Sequence, residues 1–430
     1  MQPQVLLFLS ILLTAPLPLT IYLYAALRLS SRRAVEKRFS IKGISPMTTA
    51  VSIARCSEYQ EELVHQKVKA AIELLGGITS FISPGEKVLL KPNLLIGRPA
   101  EKCVTTHPLV VKAAARLVRE AGALPVIGDS PQLDSARKAC DKCGIGAVAR
   151  ELGIEIVEFE PADMANPDGR VFKNFTLGKV VKEVDKIINL AKLKTHSLTA
   201  LTLCVKNMFG CVPGARKGQW HVRTHAAGKE YFARMLLDLY FFTRPALNIV
   251  DGITAMEGPG PGFGDPRHLG LIIAGADGVA VDRVIAEIVS VPVEQVPTLM
   301  LALQEGYGTA RLEEIDVRGE SIAEVNVADF KVPQFQDMVG KIPGPILRLL
   351  KAYLTTQPAV NPEQCVECEM CLRACPRQCI THPAGALRIN EDACIQCLCC
   401  MEICPQGAIE LRPGFLLQLF SGIRKVFGRS

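Results

Sequence analysis

Tryptophan occurs once in the 430 residues, and aromatic side chains make up only 6% of the chain. That is too few for a platform on which successive bases stack. Charge of one sign is also scarce: the formal net charge is +6 before any cofactor is counted. Without a strong basic field nucleic-acid binding has little support, and no nucleic-acid partner is expected. Two phosphate-binding signatures are missing as well. The glycine-rich run 251–264 is not followed by Gly-Lys-Ser/Thr, which excludes a Walker loop. Nor does it open a helix as Gly-x-Gly-x-x-Gly, which excludes that dinucleotide fingerprint.

Cysteine, by contrast, is plentiful at 16 residues. Eight fall in two matched runs, Cys365-x2-Cys368-x2-Cys371-x3-Cys375-Pro376 and Cys394-x2-Cys397-x2-Cys400-x3-Cys404-Pro405. Three sulfurs of the compact loop reach three corners of one iron–sulfur cubane. The fourth cysteine, followed by proline, leaves the loop and ligates the other cluster. The spacing therefore assigns Cys365, Cys368, Cys371 and Cys404 to one 4Fe–4S cluster, and Cys394, Cys397, Cys400 and Cys375 to a second. Zinc sites use two cysteine pairs rather than a triplet with Cys-Pro. Two clusters, each formally −2 with its thiolates, bring the net charge down to about +2. The segment 357–413 resembles the bacterial two-cluster ferredoxin module, which implies single-electron transfer at low potential. Aligning the halves sets Cys379 opposite Ala408 and Cys399 opposite Met370, so both read as buried apolar fillers. Ile380 and Ile409 are expected to shield the clusters from water. Thiolates and clusters of this kind favour a reducing compartment.

Residues 5–27 are almost wholly apolar, long enough to cross a hydrocarbon core of roughly 30 Å as a helix. No basic residue precedes them, which disfavours a cleaved secretory signal. Arg28, Arg32, Arg33, Lys37 and Arg38 follow. The positive-inside rule then predicts a single-pass membrane protein with a cytoplasmic main body. Two basic amphipathic segments, 346–354 and 415–427, are expected to be helices, the second suited to an anionic membrane face.

Between these ends, strands alternate with helices: strands near 51–54, 87–91, 124–127, 154–159, 186–190, 247–250 and 271–274, and helices at 61–75, 109–120, 135–149 and 279–288. This predicts an α/β fold with a largely parallel sheet. Ligands of such sheets bind beyond the carboxyl ends of strands. Polar residues recur there: Lys91 and Asn93, Asp129, Lys192 with Lys194 and His196, Asp251, and Asp277 with Asp282. On a strand the alternating Lys192, Lys194 and His196 share one face. The stretch 191–221 adds Lys206, Asn207, Arg216, Lys217 and His221, a composition suited to an anion. Lys91, Asn93, Lys192, Lys206 and Asn207 are the candidate anion or cofactor ligands. Lys194, His196, His107, Asp129 and Asp251 are the candidate catalytic groups, with Glu257 a further acid or base. The loop 258–264 lets backbone approach a ligand closely. Cys204 and Cys211 read as core thiols, and Cys140-x2-Cys143 is too short a signal to assign.

The runs 88–93, 189–196, 205–210, 251–258 and 275–282 resemble the family called domain of unknown function 362, over about residues 49–290. The resemblance implies an iron–sulfur protein and no established reaction. The expected organisation is an α/β domain with a small α+β two-cluster ferredoxin domain and an N-terminal transmembrane helix. Its segments are an anchor at 1–30, the α/β domain at 47–335, a linker at 336–356, the ferredoxin-type domain at 357–413 and a basic tail at 414–430. One expectation is electron transfer through two clusters to or from an anion held by the α/β domain, with a flavin also compatible. The alternative is an electron carrier or docking subunit for a partner redox protein.

Overall fold

The computed structural model describes residues 48–332 except 96, 132–133, 197–198, 215, 218–219, 221–228, 259 and 263. Within 357–412 it describes all but 376–377, 384–386, 392, 395–399, 401–405 and 407. Strands β1 (Thr49–Arg55), β2 (Lys87–Pro92), β3 (Leu124–Gly128) and β4 (Ile156–Val157) come first. A separate hairpin, β5 (Pro161–Ala165) with β6 (Asn174–Gly178), follows. Then come β7 (Lys186–His196), β8 (Ala200–Thr202), β9 (Leu247–Glu257), β10 (Asp265–Gly275) and β11 (Ile315–Gly319). The main sheet runs β11-β1-β10-β9-β7-β2-β3-β4, with β8 paired to β7. From β9 through β7, β2 and β3 to β4 every pairing is parallel. Only β10 and β8 run against their neighbours. The expected largely parallel α/β sheet is observed.

Strand side chains alternate between the two faces. Leu89, Ile187, Ala191 and Val250 enter one core, shared with helices Lys229–Thr243 and Gly278–Ile288. Val88, Leu90, Ile188, Leu190 and Ile249 enter the other, shared with helices Glu61–Glu73 and Pro108–Glu120. Burial on both faces is why these strands read as unbroken apolar runs. Each such Leu or Ile contributes about 1.5–3 kcal/mol.

Two expectations shift. The helix expected over 135–149 is two helices, Ala136–Cys143 and Ile145–Leu152, because Gly144 breaks the chain at φ 85°. That left-handed turn is one glycine adopts without penalty. The strand expected at 154–159 is reduced to Ile156–Val157.

No helix among the described residues is long and apolar enough to cross a membrane. This overturns the expectation of a single-pass membrane protein with a cytoplasmic body. The run 5–27 that prompted it lies outside the described residues, as do the segments 346–354 and 415–427.

Toward the C-terminus, β12 (Gln357–Val360) pairs antiparallel with β15 (Ile409–Arg412). β13 (Ile380–Thr381) pairs in the same sense with β14 (Arg388–Ile389). A short helix, Met370–Ala374, lies between β12 and β13.

Candidate functional site

The polar residues at the carboxyl ends of β2, β3, β7 and β9 do not form one site. They separate into a cavity and a closed network. The pairing of β7 to β9 changes register between Lys192 and Lys194, and the two Nζ atoms end on different partners.

The closed network is built on Asp251, which is fully buried. Its Oδ2 accepts from Lys192 Nζ at 2.8 Å and from the His107 amide at 2.9 Å. Its Oδ1 accepts from the Tyr59 hydroxyl at 2.7 Å. Tyr59 also accepts from Lys192 Nζ at 3.0 Å and stacks on the His107 ring at 3.6 Å between centroids. His107 caps the helix Pro108–Glu120, its Nδ1 accepting from Leu109 N at 3.2 Å. Burial pushes its pKa down to about 4, helped by Lys192 and opposed by Asp251. A neutral, stacked, capping imidazole is a poor proton shuttle at neutral pH. Neither His107, Asp251 nor Lys192 lines the cavity; the three are engaged with one another and with Tyr59. Sequence reasoning passed over Tyr59 altogether, since a tyrosine ahead of a helix carries no signal of its own.

The cavity has a volume of about 260 Å³. It is lined by Asn93, Asp129, Lys194, His196, Lys206 and Lys217, among others. Lys91 stands behind Asp129, Nζ to Oδ1 at 2.9 Å, with both side chains almost wholly buried. Asp129 Oδ2 accepts from Leu94 N at 2.9 Å, which fixes the carboxylate. Gly210 lies against this ion pair, where an added Cβ would collide with Asp129 Oδ1 and Lys91 Nζ. Asn207 does not line the cavity by charge but by position: it donates to Asn189 Oδ1 at 2.7 Å, holding helix Cys204–Asn207 to β7. Asp282 fastens the start of that helix, accepting from Cys204 N at 2.7 Å and Val205 N at 3.1 Å. Burial raises the Asp282 pKa to about 7. Asp277 caps the helix Gly278–Ile288 through Val279 N. These two aspartates, expected in the shared cleft, are structural instead.

Three lysines face the cavity. Lys194 is 1% exposed, and its Nζ donates to Asn93 Oδ1 at 2.9 Å and to the Val104 carbonyl at 2.6 Å. Burial lowers its pKa well below the ordinary lysine value, and Lys206 and Lys192 push the same way. Lys206 is half-buried, with its ammonium 4.5 Å from the Phe209 ring centroid and 5.5 Å from that of Phe232. Burial, then Lys217 and Lys91, lower it to about 7 against the pull of Asp129. Lys217 donates to the Ser130 carbonyl, and burial lowers it to about 8, opposed by Asp129. Lys217 belonged to the basic stretch noticed in the sequence without being singled out. His196 lines the same wall, while His221 lies outside the described residues.

The loop after β9 closes one side. Thr195 Oγ1 donates to the Gly258 carbonyl at 2.8 Å, and Pro261 reaches the cavity. Gly260 packs so closely on Thr195 that a Cβ there would strike its carbonyl. Glu257 turns away, accepting from Lys331 N at 3.2 Å, so it is no acid or base for the cavity.

The C-terminal cysteines are gathered differently. Cys371, Cys375, Cys379 and Cys400 are buried together with Ile380, Leu387 and Ile409, and Cys365 and Cys394 pack against them. Cys375 and Cys379 bring their sulfurs to 3.4 Å. Cys368 is exposed. Cys397, Cys399 and Cys404 lie outside the described residues. Among the described residues no group of three or more His, Cys, Asp or Glu side chains could hold a metal ion as placed. The donor chemistry nevertheless fits an iron–sulfur cluster: several thiols, no competing oxygen ligand among the buried members, and an apolar wall. When bound, such a cluster supplies one-electron transfer. Elsewhere, Cys140 and Cys143 are buried within one helix, and burial raises both thiols, Cys140 beyond the ordinary range. They are packing residues, as are Cys204 and Cys211.

Comparison with known proteins agrees with this division. The family model described as domain of unknown function DUF362 matches residues 88–287. The 4Fe–4S binding domain matches residues 387–410, which contain the second cysteine run. The thylakoid-associated protein sll1697 of Synechocystis sp. is 42% identical over 265 residues, 61% of this chain and 80% of that protein. Among solved structures, a Thermotoga maritima protein gives a TM-score of 0.35 at 13% identity, covering 52% of this chain and 57% of its own. The lactate racemase apoprotein from Thermoanaerobacterium thermosaccharolyticum gives 0.34 at 10% identity, covering 54% and 55%. The chain thus spans little more than half of each solved structure, and likeness at that level carries no argument. The cavity and its lysines fall inside the first match and the second cysteine run inside the other: the chain belongs to the DUF362 family and carries a C-terminal 4Fe–4S binding domain.

Proposed function

We propose that this iron–sulfur protein exchanges electrons with a small anion bound in the lysine-lined cavity of its α/β domain, through two 4Fe–4S clusters held by the two cysteine runs. One observation carries the reading. Lys194, Lys206 and Lys217 converge on a single cavity whose one carboxylate among the described residues, Asp129, is already paired to Lys91. When protonated, Lys206 and Lys217 have no carboxylate of their own among the described residues, and an anion supplies that partner. A cavity of about 260 Å³ suits a small ligand. A simple docking platform has no need of such a pocket, which favours this reading over a carrier or docking subunit.

The chain's own residues divide the work. Lys206 and Lys217 attract and orient the anion when protonated. Asp129 holds Lys91 and sets the back wall. Asn93 and His196 add polar groups to the lining.

Titration calorimetry with phosphate and with acetate tests the anion site. Wild type is expected to bind at least one of them, and K206M/K217M to lose about tenfold or more. Equal binding by the double variant would remove the site. Iron and sulfide analysis of anaerobically purified protein tests the clusters: about eight irons per chain are expected for two, and about four would restrict the chain to one.

A further inference from the structure

Three lysines at the ends of β2 and β7 are almost fully buried, and they are not equivalent. Lys91 faces Asp129 at 2.9 Å, and Lys192 faces Asp251 at 2.8 Å. Lys194 faces an amide oxygen and a backbone carbonyl, and no carboxylate among the described residues reaches it. Burying an unpaired ammonium ion costs several kcal/mol, and the group escapes that cost by losing its proton. Two neighbouring lysines add to the pressure. A neutral amine has two N–H bonds. Asn93 Oδ1 and Val104 O accept two hydrogen bonds, which uses both and leaves the nitrogen lone pair free. Lys194 also lines the cavity, beside two lysines that favour an anion.

We infer that Lys194 is a nucleophile that forms an imine with a small carbonyl compound carrying a carboxylate or phosphate group. The inference rests on the anion site proposed above and names the class of ligand for it. The lone pair of Lys194 Nζ attacks the carbonyl carbon, and the C=O π pair moves to oxygen. One nitrogen proton is lost and the oxygen gains one, giving a carbinolamine. Expulsion of the hydroxyl, protonated by Lys206 or Lys217, then yields the protonated imine and one water. Lys206 and Lys217 relay these protons, because their values near 7 and 8 let each give and take one at neutral pH. No oxidant or reductant is consumed. The protonated imine keeps one N–H for Asn93. Such an adduct is an electron sink, useful in a protein that handles electrons or protons next to a carbonyl.

The test is trapping by cyanoborohydride on the full-length protein, read by intact and peptide mass spectrometry. Pyruvate and dihydroxyacetone phosphate serve as anionic carbonyl probes, and acetone as the neutral one. The expected result is one reduced adduct per chain on Lys194 with an anionic probe, suppressed by excess acetate or phosphate and at least tenfold slower with acetone. The pH dependence is a second readout that needs no variant. An ordinary lysine loses free amine about tenfold per pH unit below roughly 10.4, whereas trapping of an anionic probe at Lys194 should not rise between pH 7 and 8.5, since its amine is already free and the anion site weakens as Lys206 and Lys217 lose their protons. An adduct confined to surface lysines, or one with the ordinary tenfold slope, overturns the inference. K194M should lose the adduct, and should K194M not fold, the pH profile of the wild type still decides. Calorimetric binding of acetate or phosphate without any adduct overturns the nucleophile and leaves the anion site standing. An adduct on Lys194 formed equally well from acetone, with no competition by anions, overturns the anion site and leaves the nucleophile.

Discussion

Changing Asp251 to asparagine should damage folding and spare the cavity. The carboxylate takes hydrogen bonds from three donors: Tyr59 at 2.7 Å, Lys192 at 2.8 Å and the His107 amide at 2.9 Å. An asparagine offers one oxygen and an NH2 group in the same place. Whichever way the amide turns, a donor confronts a donor. The larger loss is electrostatic, because Lys192 is 1% exposed and, among the described residues, has its ion pair only here. Removing one member of a buried pair costs about 3–5 kcal/mol, most of it the penalty of the charge left behind. With a urea slope of about 3 kcal/mol/M, the midpoint should fall by roughly 1–1.7 M. The single tryptophan, Trp220, is buried and 5.4 Å from the Phe172 ring, so its fluorescence reports unfolding of the α/β domain alone. D251N/K192M should recover part of the loss, since no charge is then stranded, with a coupling of about 1–3 kcal/mol. A D251N midpoint within about 0.3 M of wild type, or strict additivity in the double variant, would refute the reasoning. Loss of anion binding by D251N in the absence of urea would place Asp251 in the site after all.

Other outcomes follow from the same geometry. Gly210→Ala drives a methyl group into the Asp129–Lys91 pair, so it should cost about 3–5 kcal/mol in urea unfolding and abolish anion binding in calorimetry. Anion affinity should fall as pH rises through the values of Lys206 and Lys217, about 7 and about 8, because the protonated amines bind. At pH 9 these are roughly 1% and 10% protonated, which weakens binding about a thousandfold relative to pH 6 if both are needed. Without ligand the sign reverses for folding. The unfolded chain binds more protons between about pH 7 and 10.5, so these two lysines make stability rise with pH in that window. Cys394→Ser should lower iron content in the anaerobic protein, whereas the paired substitution C140S/C143S should leave it unchanged, since both thiols are buried packing groups.

The sheet was legible because its chemistry is local. Continuous runs such as 186–190 and 247–250 are what a strand buried on both faces requires, and both are observed as parts of longer strands. Turn chemistry was less legible. Gly144 reads as an ordinary glycine within a helical pattern, and only its φ of 85° shows that two helices meet there. The cysteine runs are legible for the opposite reason, since ligand spacing writes a three-dimensional demand directly into the sequence.

The cavity was only half legible, because its decisive partners are remote in the chain. A list of polar residues at strand ends cannot say which lysine receives a carboxylate. Tyr59 meets Asp251 across 192 residues, and Lys194 meets the Val104 carbonyl across 90. Lys192 and Lys194 are two positions apart on one strand and look interchangeable as sequence. The pairing register shifts by three residues between them, from Lys192 opposite Asp251 to Lys194 opposite Met256, and the first ammonium meets an aspartate while the second side chain meets two neutral oxygens. That difference separates a structural ammonium ion from an amine with a free lone pair. The proposed chemistry therefore turns on which buried lysine lacks a carboxylate among the described residues, more than on which polar residues are present.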